Sequence, residues 1–187
     1  MSPTLSPAGF SIIRSLGDNG VLWWGLAACG AAQLSKLLVE LAVHRRWNPR
    51  VLVETGGMPS SHSALITGTA AGIGWQLGFA DPLFALAATM TFIVLYDASG
   101  VRRSAGLIAA RVNGLPQDLW AGAPGAGPSS ASQPPAARPP LKESLGHTRL
   151  EVLVGSLMGP AIALPGLVLV GSPLHLAVAL GLVSALG

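Results

Sequence analysis

From Val21 to Val43 the chain reads "VLWWGLAACGAAQLSKLLVELAV", with Lys36 and Glu40 its only charged residues. A run of this kind is long enough to cross a bilayer, which takes roughly 20 apolar residues of helix. In lipid every backbone polar group must be satisfied within the protein, so only helices and closed barrels cross. A barrel strand alternates with a period of two over about ten residues, and no segment here does so. Three more apolar runs follow, at about His62 to Phe79, Leu83 to Ala98, and Leu145 to Val170. Pro160 and Pro165 are expected to kink the last of them. Half of the 187 residues are hydrophobic and 10% are charged, against about a quarter charged in ordinary soluble domains. A soluble bundle of this composition would have little polar face to show water. The expected fold is all-α, a multi-pass transmembrane helical bundle of four to five spans.

Residues 1–20 read as a loose or interfacial lead-in, and 21–187 as a single membrane domain. Trp23 and Trp24 suit an interfacial belt. "ADP" at 80–82 makes a tight turn. The third run is expected to continue as helix through "SGVRRSAGLIAARVN" and to stop at Asn113-Gly114. Residues 115–140, "LPQDLWAGAPGAGPSSASQPPAARPP", are dominated by Pro, Gly, Ala and Ser, the composition of a flexible loop. "GSP" at 171–173 is a turn, and Leu174–Gly187 is a fifth span, a half-span or an interfacial helix. Cys29 is the single cysteine, so no intramolecular disulfide and no cysteine-clustered metal site is available.

The net charge of +3 sits at helix ends rather than along an exposed basic face. Anionic lipid or phosphate is therefore the expected partner, and nucleic acid is not. Nine of the eleven basic residues flank spans on one side, the exceptions being Arg14 and Lys36. The loops at 79–82 and 171–174 carry no Lys or Arg. The positive-inside rule makes the basic side cytoplasmic.

Three polar groups fall on that side. Lys36, Glu40 and His44 are spaced by four, on one face of the first span. Ionisable residues in a span usually face a bundle interior or a watery cavity; the plainer reading is a self-neutralising Lys36–Glu40 pair. In "TGGMPSSHSALITG", Thr55 to Gly68, Pro59 favours a helix start and Ser60 or Ser61 can cap it. The open N–H groups of such a first turn form an anion site, above all for phosphate, and His62 stands beside them. The plainer reading is an ordinary N-cap at the water line. In "LKESLGHTRLEVLVG", 141–155, His147 and Glu151 are four apart and can share a helical face. A carboxylate there orients one ring nitrogen and leaves the other as nucleophile or base; the plainer reading is a helix-start ion cluster. Together the groups make a phosphoryl-transfer kit without metal: a nucleophile, an acid and charge stabilisation.

"GGMPSSHSA", "YDASGVRR" and "LKESLGHTRLEVLVG" resemble the divergent branch of the type 2 phosphatidic acid phosphatase superfamily, which is related to acid phosphatases and vanadium-dependent haloperoxidases. The resemblance covers about residues 21–115 and 141–170. It implies that His147 is the nucleophile that becomes phosphorylated, Glu151 its orienting carboxylate and His62 the general acid. It further implies that Ser60 and the backbone around Ser61 hold phosphate oxygens, that Lys36 pairs with phosphate, and that no metal or organic cofactor takes part. The superfamily pattern is Lys-x6-Arg-Pro, Pro-Ser-Gly-His and Ser-Arg-x5-His-x3-Asp, and this chain departs from it. Ser61 replaces Gly, Val43 stands seven residues after Lys36, Leu141 takes the place of the third-motif Arg, and Glu151 replaces Asp. The cations left to fill the phosphate clamp are Arg45, Arg46, Arg102, Arg103 and Lys142, and a lysine does not reproduce the bidentate fork of an arginine.

The leading expectation is a membrane phosphatase acting on a lipid phosphate or diphosphate at the cytoplasmic face. Its alternatives are a non-catalytic relative that binds anionic headgroups or a membrane partner, and a small transporter. One cytoplasmic face for all three groups has a direct check. In a Cys29→Ala background, single cysteines at positions 48 and 142 are expected to label from the same side of the membrane. Labelling from opposite sides would rule out a shared site.

Overall fold

A computed structural model describes residues 7–45, 47, 57–116 and 140–182. Among these residues the chain is helical, with no strand. The elements are α1 (Pro7–Asp18), α2 (Gly20–His44), α3 (Ser61–Leu77), α4 (Pro82–Tyr96), a π turn (Asp97–Val101), α5 (Arg102–Asn113), α6 (Arg149–Leu169) and α7 (Pro173–Ala179).

Each boundary has a local chemical cause. Asn19 caps α2 by accepting the Leu22 N–H at 3.0 Å. Asp81 caps α4 by accepting the Leu83 N–H at 2.7 Å, with Pro82 in the first helical position, where its missing N–H costs nothing. Phe79 and Phe84 close the turn between α3 and α4 edge to face, with centroids 5.0 Å apart. The α4 helix passes through the π turn into α5 without a break, and Gly114 ends it, as the sequence led us to expect. α6 runs on through Pro160 and Pro165.

Among the described residues, three helical stretches are long and apolar enough to cross a membrane: Gly20–Val43, Pro82–Asn113 and Arg149–Leu169. At 17 residues, α3 is shorter, and it lies in the middle, packed on α2, α4 and α6. Lipid tails are as apolar as leucine, so helices in a membrane associate through close van der Waals contact between small residues. The contacts here follow that rule. Ala28, Ala32 and Ala64 form the buried centre between α2 and α3, with Met158 and Ile162 of α6 against it. Gly68 of α3 meets Gly159 of α6 so closely that a Cβ on Gly68 would lie 3.1 Å from the Gly159 carbonyl oxygen. Gly166 leaves room for the indole of Trp24. The large apolar side chains point the other way, outward, as with Leu38, Leu86, Phe92, Leu157 and Leu169.

At two elements the structure narrows the alternatives left by the sequence. The lead-in is not loose over its whole length, since α1 is an amphipathic helix of 12 residues. It packs on α7, and the Ser172 hydroxyl donates to Asp18 Oδ1 at 2.6 Å. The indoles of Trp23 and Trp24 donate to the Leu16 and Gly171 carbonyls, at 2.8 and 2.7 Å. α7 has seven residues, about 10 Å of helix against a hydrocarbon core of about 30 Å. It does not span; residues 183–187, and most of the loop at 115–140, lie outside the described residues.

The tight helix contact predicts a contrast. Gly159→Val forces a branched side chain into the α3 backbone and should lower stability by about 1–3 kcal/mol or more. Gly30 lies on α2 with no atom near its would-be Cβ, so Gly30→Ala should leave stability unchanged or raise it by about 0.5–1 kcal/mol. Thermal unfolding of the two variants in one detergent provides the check.

Candidate functional site

The site lies where the first turns of α3 and α6 meet the α4–α5 helix. Thr148 opens α6 with a reciprocal cap. Its hydroxyl accepts the Glu151 N–H at 3.2 Å, and Glu151 Oε2 accepts the Thr148 N–H at 3.1 Å. Such a capping box satisfies two of the donors that a helix start leaves open. Glu151 Oε2 also lies 3.0 Å from His147 Nδ1, and His147 is buried, at 5% exposure. A carboxylate there favours the tautomer with the proton on Nδ1, which leaves Nε2 as the lone-pair nitrogen.

The sequence put His147 inside α6, from a start near Leu145. The helix begins instead at Arg149, with Gly146 at φ +77° and Thr148 in extended conformation just before it. The His147–Glu151 contact is therefore a property of the cap, not of a shared helical face.

The segment before His147 lies along α5. The Asn113 side chain donates to the Leu141 carbonyl and to Glu143 Oε1, both at 2.8 Å, and accepts the Leu141 N–H at 2.9 Å. Gly106 of α5 lies against the Glu143 and Leu145 carbonyls, too close for a side chain. The His147 N–H donates to the Ala98 carbonyl at 2.9 Å.

On the α3 side, Ser60 is fully buried and forms the N-cap. Its Oγ accepts the Ser63 N–H at 3.3 Å and the Ser63 hydroxyl at 2.9 Å. The Ser60 N–H donates to the Glu151 carbonyl at 3.1 Å, and Gly155 lets the Ser60 backbone touch α6. Ser61 is buried in the first turn of α3 and His62, next to it, is exposed. The cap leaves the N–H groups of that first turn at Ser61 and His62 open.

The charges converge unevenly. His62 lies within electrostatic range of Arg102, His147 and Lys36. Lys36 is 3% exposed, and the carboxylate of Glu151 on α6 acts on it. Arg103 lines a pocket of about 250 Å³ together with Gly57, Glu143, His147, Thr148 and Glu151. Arg102 is exposed and pairs through its Nε with Asp97 Oδ2. Arg45 ends α2 as its exposed C-cap, and Lys142 is exposed on the segment leading to His147; neither lines that pocket. Arg46 lies outside the described residues.

This geometry joins all three sequence motifs at one end of the bundle. A profile described as the divergent PAP2 family matches residues 17–162. The chain belongs to that family. The membrane protein YuiD of Bacillus subtilis (strain 168), described as uncharacterized, is 37% identical over 146 residues, covering 78% of this chain and 92% of that protein. No solved structure matches the chain.

Several residues of this family member's site carry no signal that the sequence reading used. Asn113 was read only as a helix stop, yet it ties down the returning segment. Glu143 and Ser144 line the pocket without belonging to any recognised acid–base pair. Gly146 stood in plain view, directly before the histidine.

The cap makes a separable prediction. Thr148→Ala removes the hydroxyl that holds the Glu151 N–H and should cost about 1 kcal/mol of stability, while Thr148→Ser should recover most of it. Chemical denaturation in a fixed detergent measures both.

Proposed function

We propose that the protein is a membrane phosphatase that hydrolyses a lipid phosphate or diphosphate through a phosphohistidine. The observation that carries this reading is the buried His147 held at Nδ1 by Glu151, 3.0 Å away, at the edge of a pocket that Arg103 also lines. On this reading Nε2 attacks phosphorus, the N–P bond forms and the P–O bond to the leaving group breaks. His62 gives its proton to the leaving oxygen. Water then attacks the phosphohistidine, His62 takes a proton from that water, and the P–N bond breaks to release phosphate. Lys36, Arg103 and the open N–H groups of the α3 first turn oppose the charge on the phosphoryl oxygens. On this reading α3 crosses the membrane together with the three longer stretches α2, α4–α5 and α6, and the basic residues flanking their ends at this mouth favour a cytoplasmic face by the positive-inside rule.

A second reading has its own observation. Leu141 holds the place of the third-motif arginine, Arg102 is engaged by Asp97, and Glu143 brings negative charge to the pocket. Those features favour a pocket that binds an anionic headgroup without turning it over.

Purified protein separates the two. With phosphatidate or a polyprenyl diphosphate in mixed micelles, the first reading expects phosphate release that vanadate inhibits and EDTA leaves unchanged. His147→Ala should abolish it. His62→Ala should slow it by about 10²–10⁴-fold, the usual worth of a general acid, and least with good leaving groups. Glu151→Gln should fall between. Wild-type protein that binds anionic lipid in a manner that Arg103→Ala weakens, but that releases no phosphate, would establish the second reading.

A further inference from the structure

We propose that the π turn at Asp97–Val101 is the element that positions His147, with Asp97 as its positioning residue. In a regular α-helix the Arg102 N–H would bond to the carbonyl four residues back, that of Ala98. It bonds instead to the Asp97 carbonyl, five back. The wider turn passes over the Ala98 carbonyl, and that carbonyl accepts the His147 N–H at 2.9 Å. Ala98 is 5% exposed, so water is a poor substitute on either side of the bond. A passed-over carbonyl on the helix and a non-helical amide on the returning segment satisfy each other, and leaving either unpaired in a buried place is costly. π turns inside α-helices occur often at functional sites, and here the turn has an identifiable task.

Two contacts hold this arrangement. The Asp97 carboxylate pairs with the Arg102 guanidinium. Side chains five apart do not face each other on an α-helix, where neighbours are three or four apart; the wide turn brings them together, and the pair in turn favours the wide turn. Gly146, at φ +77°, lies against the Arg102–Arg103 peptide so closely that a Cβ would overlap it. The histidine is thus fixed twice, at its backbone by the α4–α5 helix and at its ring by α6. The kinetic consequence rests on the phosphohistidine reading; the positional one does not.

The test uses the full chain in detergent, with nitrogen-15 histidine and glycine labels and amide exchange read by NMR. Deleting Gly100 removes the extra residue and restores α-helical register. Asp97→Ala keeps the length and removes the clasp, and Asp97→Glu keeps the charge. The His147 amide should exchange roughly tenfold faster in the deletion, the worth of one ordinary hydrogen bond, and about two- to fivefold faster in Asp97→Ala, which removes one exposed ion pair. It should stay near the wild-type rate in Asp97→Glu, and the Gly68 and Gly159 amides should not change. In phosphate release, kcat should fall by about a hundredfold with KM unchanged, as for a misplaced reacting group. If the deletion does not fold, Asp97→Ala decides. An unchanged His147 rate overturns the proposal, as does an equal rise at Gly68 and Gly159, which marks general loosening. Wild-type protein with the expected exchange pattern but no turnover supports the positional inference and sinks the phosphatase reading alone.

Discussion

Glu151 is the residue on which the rest of the site depends. Its side chain caps α6 and holds the His147 ring, while its carbonyl accepts the Ser60 N–H from the start of α3. Ser60 in turn caps α3. Two helix N-termini are therefore joined through one residue, and both aim the positive ends of their dipoles at the same mouth. A carboxylate is the natural group to place there, since it neutralises part of that field and orients a histidine with the same oxygen. Glu in place of the superfamily's Asp fits this double use. From position N3 the longer side chain reaches back to the cap N–H, as in a capping box, and to the ring beyond it.

The bundle below serves this junction by bringing helices unusually close. Gly155 and Gly159 on α6 face Ser60, Ala64 and Gly68 on α3. With larger residues there, α3 and α6 would stand apart, and the Ser60–Glu151 bond could not form. Small residues on the helix interfaces therefore determine the geometry of a polar site several turns from some of them. The outward-facing leucines and phenylalanines contribute by meeting lipid, not by filling a core.

The helices were legible in the sequence because their signals are strong: long apolar runs, Ser60 and Pro82 at the starts of α3 and α4, Gly after Asn113. The pairing of His147 with Glu151 was legible from spacing, although for the wrong reason. A separation of four reads as one helical face, whereas Gly146 and Thr148 stop the helix and deliver the same contact through a cap. The π turn was not legible. Ser99-Gly100 in "YDASGV" is too weak a signal to mark a wide turn inside a long apolar run, and the extra residue is stabilised by a partner, His147, that lies about fifty positions away in the chain. The α1 helix was obscured by Gly9 and Gly17, which weaken local propensity; docking against α7 supplies what propensity lacks.

The missing arginines remain the chemical question, and the structure gives it a definite shape. At the place of the third-motif arginine, Leu141 offers only its backbone, and Asn113 takes that. Arg103 comes to the pocket from the other side, off a helix instead of the returning segment. Lys36 is a buried point charge, and the α3 first turn offers backbone donors. On the phosphatase reading, such a set neutralises a phosphoryl group but grips it with fewer paired forks than a ring of arginines would. Control over the angle of attack then passes to the nucleophile. A histidine held at both its backbone and its ring is what a site short of guanidinium forks would need, because near-attack geometry can be set from either reacting partner. The wide turn at Asp97 and the cap at Glu151 are the two places where this chain has that control.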